Sequence, residues 1–157
     1  MPVHKTAHHG GFEAIAANLR KLAKSDVLVG IPSKDNARKG EPIGNAALLY
    51  LHTNGSQVQN IPARPVIEPA LKADRDLYMP ELERAAFSAI EGRDFAEDLD
   101  RAGTIAANAA KRWFTDPRNN WPPNAPATIE NKGSDQPLID QGELRRSITH
   151  VTRTTKP

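Results

Sequence analysis

Histidine is the residue type in this chain best suited to chemistry, and three of the five histidines lie near its beginning, at His4, His8 and His9. Imidazole is the commonest metal ligand in proteins, so this group could bind a metal ion. The residues around it are aperiodic and include glycine, so no regular element holds the three side chains together as a site. We therefore interpret residues 1–10 as a flexible N-terminal arm. We expect no metal ion and no other cofactor.

His52 offers the second possible chemistry, because Asp35 or Glu41 and one of the serines would supply the residue types of a catalytic triad. No serine lies in a nucleophile elbow, and no glycine-rich loop precedes a helix as phosphate binding requires. The chain has no cysteine, which excludes a thiol nucleophile, a thiolate zinc site and a disulfide framework. The sequence therefore predicts a protein that is not an enzyme.

Arg64 is the cation with the most constrained surroundings. Pro62 and Pro65 fix φ on either side of it, and Pro65 drives Arg64 toward extended geometry. A guanidinium held in this way suits a bidentate partner, a carboxylate of this chain or of a neighbour. The alternative is a solvated arginine whose charge opposes the dipole of the following helix. We favour the defined partner and take Pro62, Arg64 and Pro65 as interface candidates.

Three further side chains are interface candidates. Arg145 and Arg146 lie on a short helix near the C-terminus, where they could pair across a subunit boundary, cap the helix, face DNA phosphates or remain solvated. Trp121 lies among prolines, and a tryptophan that is exposed there is typical of an interface anchor. The alternative is that Trp121 folds back onto its own domain.

The composition predicts one domain with a small hydrophobic core. Of the 157 residues 38% are hydrophobic and 5% aromatic, and the mean hydropathy is −0.58. A chain of this kind completes the burial of its apolar surface against neighbours. The net charge of +2 is mild for a dedicated nucleic-acid binder. The longest apolar run, Ala46–Leu51, is far shorter than the roughly 20 residues of a membrane span, and no signal peptide is evident. We expect a soluble protein of intracellular origin that contacts no membrane.

Hydrophobic periodicity predicts the elements that must position these residues. The N-terminal helix begins at Gly11, and the strand Val27–Ile31 follows it. A second helix covers about Ile43–Thr53, with Gly55 as its C-terminal residue at positive φ. A third helix runs from the Pro62–Pro65 corner to about Ile90, kinked or split at Pro80. The residues predicted to point inward from it are Ile67, Ala70, Leu71, Tyr78, Leu82, Ala85 and Ala89.

Two capping boxes are predicted in the second half of the chain. Asp94 with Glu97 begins a helix that ends near Trp113. Its apolar residues recur at spacings of four and three and predict one inward face, formed by Phe95, Leu99, Ala102, Ala106, Ala109 and Trp113. Asp140 with Glu143 begins a short helix that the strand Ser147–Thr152 follows. Residues 115–137 form a long proline-rich loop. We predict a single α+β domain over residues 11–157, with a small antiparallel or mixed sheet of the N- and C-terminal strands and three to four helices.

Three stretches of this chain resemble a family of small tail-completion and head–tail neck proteins of long-tailed bacteriophages, and they occur in the order in which that family has them. The first is an alanine-rich helix with a histidine, a Gly-Ser turn and an Ile-Pro-Ala-Arg-Pro corner; the second is a Trp-Pro-Pro loop; the third is Leu-Ile-Asp-Gln-Gly-Glu-Leu-Arg-Arg-Ser-Ile-Thr. They cover residues 45–67, 120–129 and 138–149.

The resemblance implies a structural virion protein of the phage neck, of tail-completion or tail-terminator type. Such a protein forms a ring, with six-fold symmetry implied, at the head-proximal end of the tail. Its partners would be further copies of itself, the tail tube protein, the head–tail connector or stopper and, without sequence specificity, the DNA in the channel. It would be assembled in the host cytoplasm and located in the virion. The alternatives are a small basic DNA-associated or regulatory protein and a head-side stopper or adaptor.

Overall fold

The computed structural model describes residues 9–155, and their side chains from residue 11 onward. Residues 1–8, with His4 and His8, lie outside the described residues, as do 156 and 157. The described chain contains seven α-helices and two β-strands, in the order α1 His9–Ala23, β1 Ser25–Gly30, α2 Asn45–Asn54, α3 Ile67–Ala73, α4 Arg75–Ile90, α5 Ala96–Trp113, α6 Pro126–Lys132, α7 Glu143–Ser147 and β2 Thr149–Thr154.

The first and last strands form a two-stranded antiparallel sheet, with Ser25 opposite Thr154 and Gly30 opposite Thr149. Beyond the strand ends, the N–H of Thr155 donates to the carbonyl of Lys24 at 2.8 Å, which extends the ladder by one bond. The predicted α+β class and the pairing of terminal strands are confirmed. The seven helices found within residues 9–155 exceed the predicted three to four. The third predicted helix is divided, the proline-rich loop contains a helix of its own, and the short helix α7 is counted besides.

Helix α5 is the centre of the fold, because it packs against both strands and against α3 and α4. Its predicted apolar face is confirmed, since Leu99, Ala106 and Trp113 are all buried. Small residues let the sheet come close: a Cβ added to Gly103 would lie 2.2 Å from Cδ2 of His150 on β2. The glycine therefore determines how near β2 lies to the helix.

Two apolar clusters fill the interior. The larger joins α2, α3, α5 and α7, and the smaller joins α4 to the first turn of α5. The largest fully buried apolar side chains are Phe95, Phe114, Ile148 and Val66. The C-terminal segment is thus part of the core, because Ile148 lies between α7 and β2 and is fully buried there.

Both predicted capping boxes are wrong. Helix α7 begins at Glu143, and its N-cap residue is Gly142 in a left-handed conformation (φ 74°), which has no side chain with which to cap the helix. Asp140 lies three residues before that first helical residue, so its carboxylate cannot occupy the N-cap position. Helix α5 begins at Ala96 without a side-chain cap, and Glu97 binds Arg101 instead.

Several element boundaries also differ from the predictions. The strand predicted at Ser147–Thr152 spans Thr149–Thr154, because Ser147 still belongs to α7. The long helix divides at Asp74, not at Pro80, so Pro80 lies in the second turn of α4 and removes only one intrahelical hydrogen bond. The predicted loop 115–137 contains α6, which has Pro126 in its first turn and ends at the left-handed Gly133. Helix α1 begins at His9, inside the predicted arm.

Candidate functional site

Arg64 joins the Ile-Pro-Ala-Arg-Pro corner to the Trp-Pro-Pro loop. Its Nε and Nη2 donate to the carbonyl oxygen of Pro122 at 3.0 and 2.8 Å, and Nη2 also donates to that of Pro123 at 2.9 Å. The side chain is only 6% exposed, and this burial lowers the pKa of Arg64. The prediction of a defined partner is confirmed. The prediction of a carboxylate is wrong, because two backbone carbonyls of the same chain bind the guanidinium.

Trp121 forms a second contact between the same two segments. Its indole N–H donates to the carbonyl of Pro65 at 3.0 Å, and its ring meets that of Phe114 edge to face, with 5.8 Å between centroids. The side chain is therefore folded back onto its own domain, which was the alternative to a free anchor. Any interface role of Trp121 is limited to the part of the ring that stays exposed, and it remains a prediction.

The C-terminal segment joins the other two through apolar contacts. Leu144 and Ile148 belong to the same buried cluster as Leu49 of α2, and Leu138 and Trp121 pack against that cluster. The three stretches that resemble the phage family, far apart in the sequence, are therefore in contact in the fold.

A cleft of about 940 Å³ lies where these three stretches meet. Its walls come from the end of α2 with the turn at 56–62, from residues 123–132 and from residues 138–144. Gly55 shapes the first wall, because its φ is 72° and an added Cβ would lie 2.8 Å from the backbone N of Ala63. Charged side chains of both signs line the cleft: Arg38, Lys39, Lys132, Glu41, Asp140 and Glu143.

His52 and Arg38 leave polar atoms unused in the wall of this cleft. His52 Nδ1 and Arg38 Nε are buried and have no hydrogen-bond partner within residues 9–155. Burial, and then the positive charge of Arg64, lower the pKa of His52, so its imidazole is neutral at pH 7. A large cleft lined by charges of both signs suits an extended polypeptide segment, which offers backbone donors and acceptors as well as charged side chains.

Arg145 and Arg146 occupy the last turn of α7, where their charges complement the helix dipole. Nη1 of Arg146 donates to the carbonyl of Gln141 at 2.7 Å, which closes the turn around Gly142. Arg145 is half-buried and Arg146 exposed. The arrangement gives Arg146 a structural contact, while contact of either residue with DNA or with a second subunit stays a prediction.

Two features of the structure were not predicted from the sequence. Asn36 caps α2 from ten residues away, since its Oδ1 accepts from the N–H of Ala46 at 2.7 Å. Several large apolar side chains are exposed: Val58 is 98% exposed, Phe12 77%, Tyr50 72% and Phe87 64%. The signal for Phe87 was present, because it lies off the periodic face of its helix that was predicted to point inward.

No family model, no curated protein and no solved structure matches this chain. Within residues 9–155, no group of three or more histidine or acidic side chains is placed to hold a metal ion. None of the helices in the same range combines the length and apolarity that crossing a bilayer requires.

Proposed function

We propose that this chain is a structural protein of the bacteriophage neck, of tail-completion or tail-terminator type. It forms a ring at the head-proximal end of the tail and joins the tail to the head connector. One observation carries the proposal: the three stretches that resemble the family are in contact around one cleft, although Arg64 and Pro122 are separated by 58 positions. Resemblances that arose by chance in separate parts of a chain would have no reason to share one site.

The surface of the domain also supports an assembly function. Large apolar side chains are exposed on α1, α2, α4 and the turn between α2 and α3, and two that are neighbours on one helix face, Phe87 and Ile90, offer apolar surface to a protein partner. A contact between two different surfaces of identical subunits closes into a ring when the rotation permits. The cleft is then the site for a segment of the connector, of the tail tube protein or of the next subunit.

Electron microscopy of the purified protein, alone and mixed with tails from a phage that lacks this gene, tests the proposal. We expect rings in the free protein and density at the head-proximal tail end, and we expect the protein to restore infectious particles in lysates. Lys39→Glu, in the cleft, should reduce this restoration, while Lys34→Glu, in the same loop outside the cleft, should not.

A protein that neither forms rings nor binds tail ends would contradict the proposal. Binding to DNA of any sequence, weakening steeply as salt rises, would favour the DNA-associated alternative instead.

A further inference from the structure

A second concave surface lies on the other side of α2. It is a groove of about 670 Å³ between α2, α3 and the first turn of α4. Its floor and walls are mostly apolar and include Ile31, Leu49, Tyr50, Ile67, Leu71 and Tyr78. Two cations, Lys72 and Arg75, and one carboxylate, Glu68, also line it. Tyr50 is 72% exposed in this wall, which leaves the aromatic ring available to a partner.

The opposite end of α4 carries a surface of complementary character. Glu83, Phe87 and Ile90 follow one another at spacings of four and three, so they share one face of the helix. Phe87 is 64% exposed and Ile90 50%. The other face of α4, with Ala85, is buried. We call the exposed stripe Glu83–Phe87–Ile90 the α4 ridge.

The ridge and the groove of one subunit cannot contact each other. Arg75 and Phe87 belong to the same helix, and twelve residues of helix separate them by about 18 Å. Neither Lys72, Arg75 nor Glu83 forms an ion pair within residues 9–155. The groove therefore offers apolar walls and, with two cations and the one carboxylate of Glu68, a net positive charge, while the ridge offers apolar anchors and a free carboxylate.

We propose that the α4 ridge of one copy docks into the α2–α3 groove of the next copy. Phe87 and Ile90 would enter the apolar floor, as helix anchors do in a groove, and Glu83 would approach Lys72 and Arg75, near the positive end of the α4 dipole. The two surfaces differ, so the contact is head to tail, the kind that generates rings. This inference rests on the proposed function, because it names the surfaces that join neighbouring subunits of the ring.

The absence of native cysteine allows a direct test of this contact. Two single variants, Ile90→Cys on the ridge and Thr53→Cys in the groove, are mixed and oxidised. We expect a disulfide-linked heterodimer, because only a contact between copies can join two single-cysteine chains. Val58→Cys, on the fully exposed turn, is the control partner for Ile90→Cys and should give no comparable yield.

Substitutions measure how much the contact contributes. Phe87→Asp should weaken self-association at least about tenfold, equivalent to 1.4 kcal/mol, with an unchanged melting temperature because Phe87 is mostly exposed. Val58→Asp, which adds the same charge at another exposed apolar residue, should leave association unchanged. Glu83→Lys and Lys72→Glu should each weaken association, and the double variant should restore it.

The outcomes separate this inference from the proposed function. Normal rings and restored tails with Phe87→Asp, or no cross-link between the two cysteine variants, would overturn the ridge-in-groove contact and leave the neck function in place. A cross-linked assembly that fails to bind tails would support the contact and contradict the neck function. A protein that stays monomeric at millimolar concentration, or a groove occupied by residues 1–8 of the same chain, would overturn the inference.

Discussion

Replacing Arg64 should destabilise the fold more than any other single change to a charged residue in the candidate site. The guanidinium donates three hydrogen bonds to the carbonyls of Pro122 and Pro123, at 2.8 to 3.0 Å. A hydrogen bond to a charged group contributes roughly 1.5–3 kcal/mol, so two carbonyls that lose their donor imply roughly 3–6 kcal/mol.

Two effects reduce that value. Pro122 and Pro123 are exposed residues, so water can bind their carbonyls once the guanidinium is gone. Removing a buried charge also recovers part of its desolvation cost. We therefore expect Arg64→Ala to lower the unfolding free energy by about 3 kcal/mol, which for a chain of this size lowers the melting temperature by roughly 6–12 °C.

Arg64→Lys and Lys34→Ala are the matched variants. Lysine keeps the charge but lacks the planar fork, so Arg64→Lys should cost about half as much as Arg64→Ala. Lys34 is an exposed loop residue, and its replacement should change stability by no more than about 0.5 kcal/mol. Thermal and urea melts give the values, and hydrogen exchange over residues 119–129 shows whether the proline-rich loop opens first. If Arg64→Ala melts within about 2 °C of Lys34→Ala, the bonds to the loop contribute nothing and the reasoning is wrong.

Three further predictions concern the core and the C-terminal unit. The unfolding free energy should fall as the pH drops below 6.5, because the pKa of His52 is lowered in the folded state and the unfolded chain binds the proton first; His52→Gln should flatten this dependence in urea melts at each pH. Deleting residues 149–157 removes β2 and should abolish the cooperative transition in circular dichroism, whereas Asp140→Ala, which removes no cap, should cost less than about 0.5 kcal/mol. Gly103→Ala should cost about 1–3 kcal/mol in thermal melts by overpacking against His150, and a wild-type melting temperature for that variant would mean that β2 lies farther from α5.

Local patterns were sufficient to predict most of the elements. The spacing of apolar residues predicted the buried face of α5 from Leu99 to Trp113, and the alternation of β-branched residues predicted a strand near the position of β2. Both signals depend only on residues that are close together in the sequence. The positive φ of Gly55 followed from its place after a helix. The meeting of the first and last strands also followed from the sequence, since two isolated strands in a helical chain have only each other to pair with.

The tertiary structure alone decided how those elements end and what their polar groups bind. Asp140 and Glu143 have the right spacing for a cap, but the backbone turn at Gly142 places the helix start at Glu143, three residues after Asp140. The partner of Arg64 was equally unpredictable, because a carbonyl is present at every residue and only folding brings that of Pro122 within 2.8 Å.

The sequence by itself therefore determined the class of the fold, the buried face of α5 and the positions of its constrained residues. These depend on interactions between residues close in the chain, which the order of amino acids specifies directly. Only the tertiary structure decided that the corner at Arg64, the loop at Trp121 and the C-terminal segment share one cleft. Contacts between distant residues depend on the relative placement of whole helices, which is set by the summed packing of many side chains and not by any one motif.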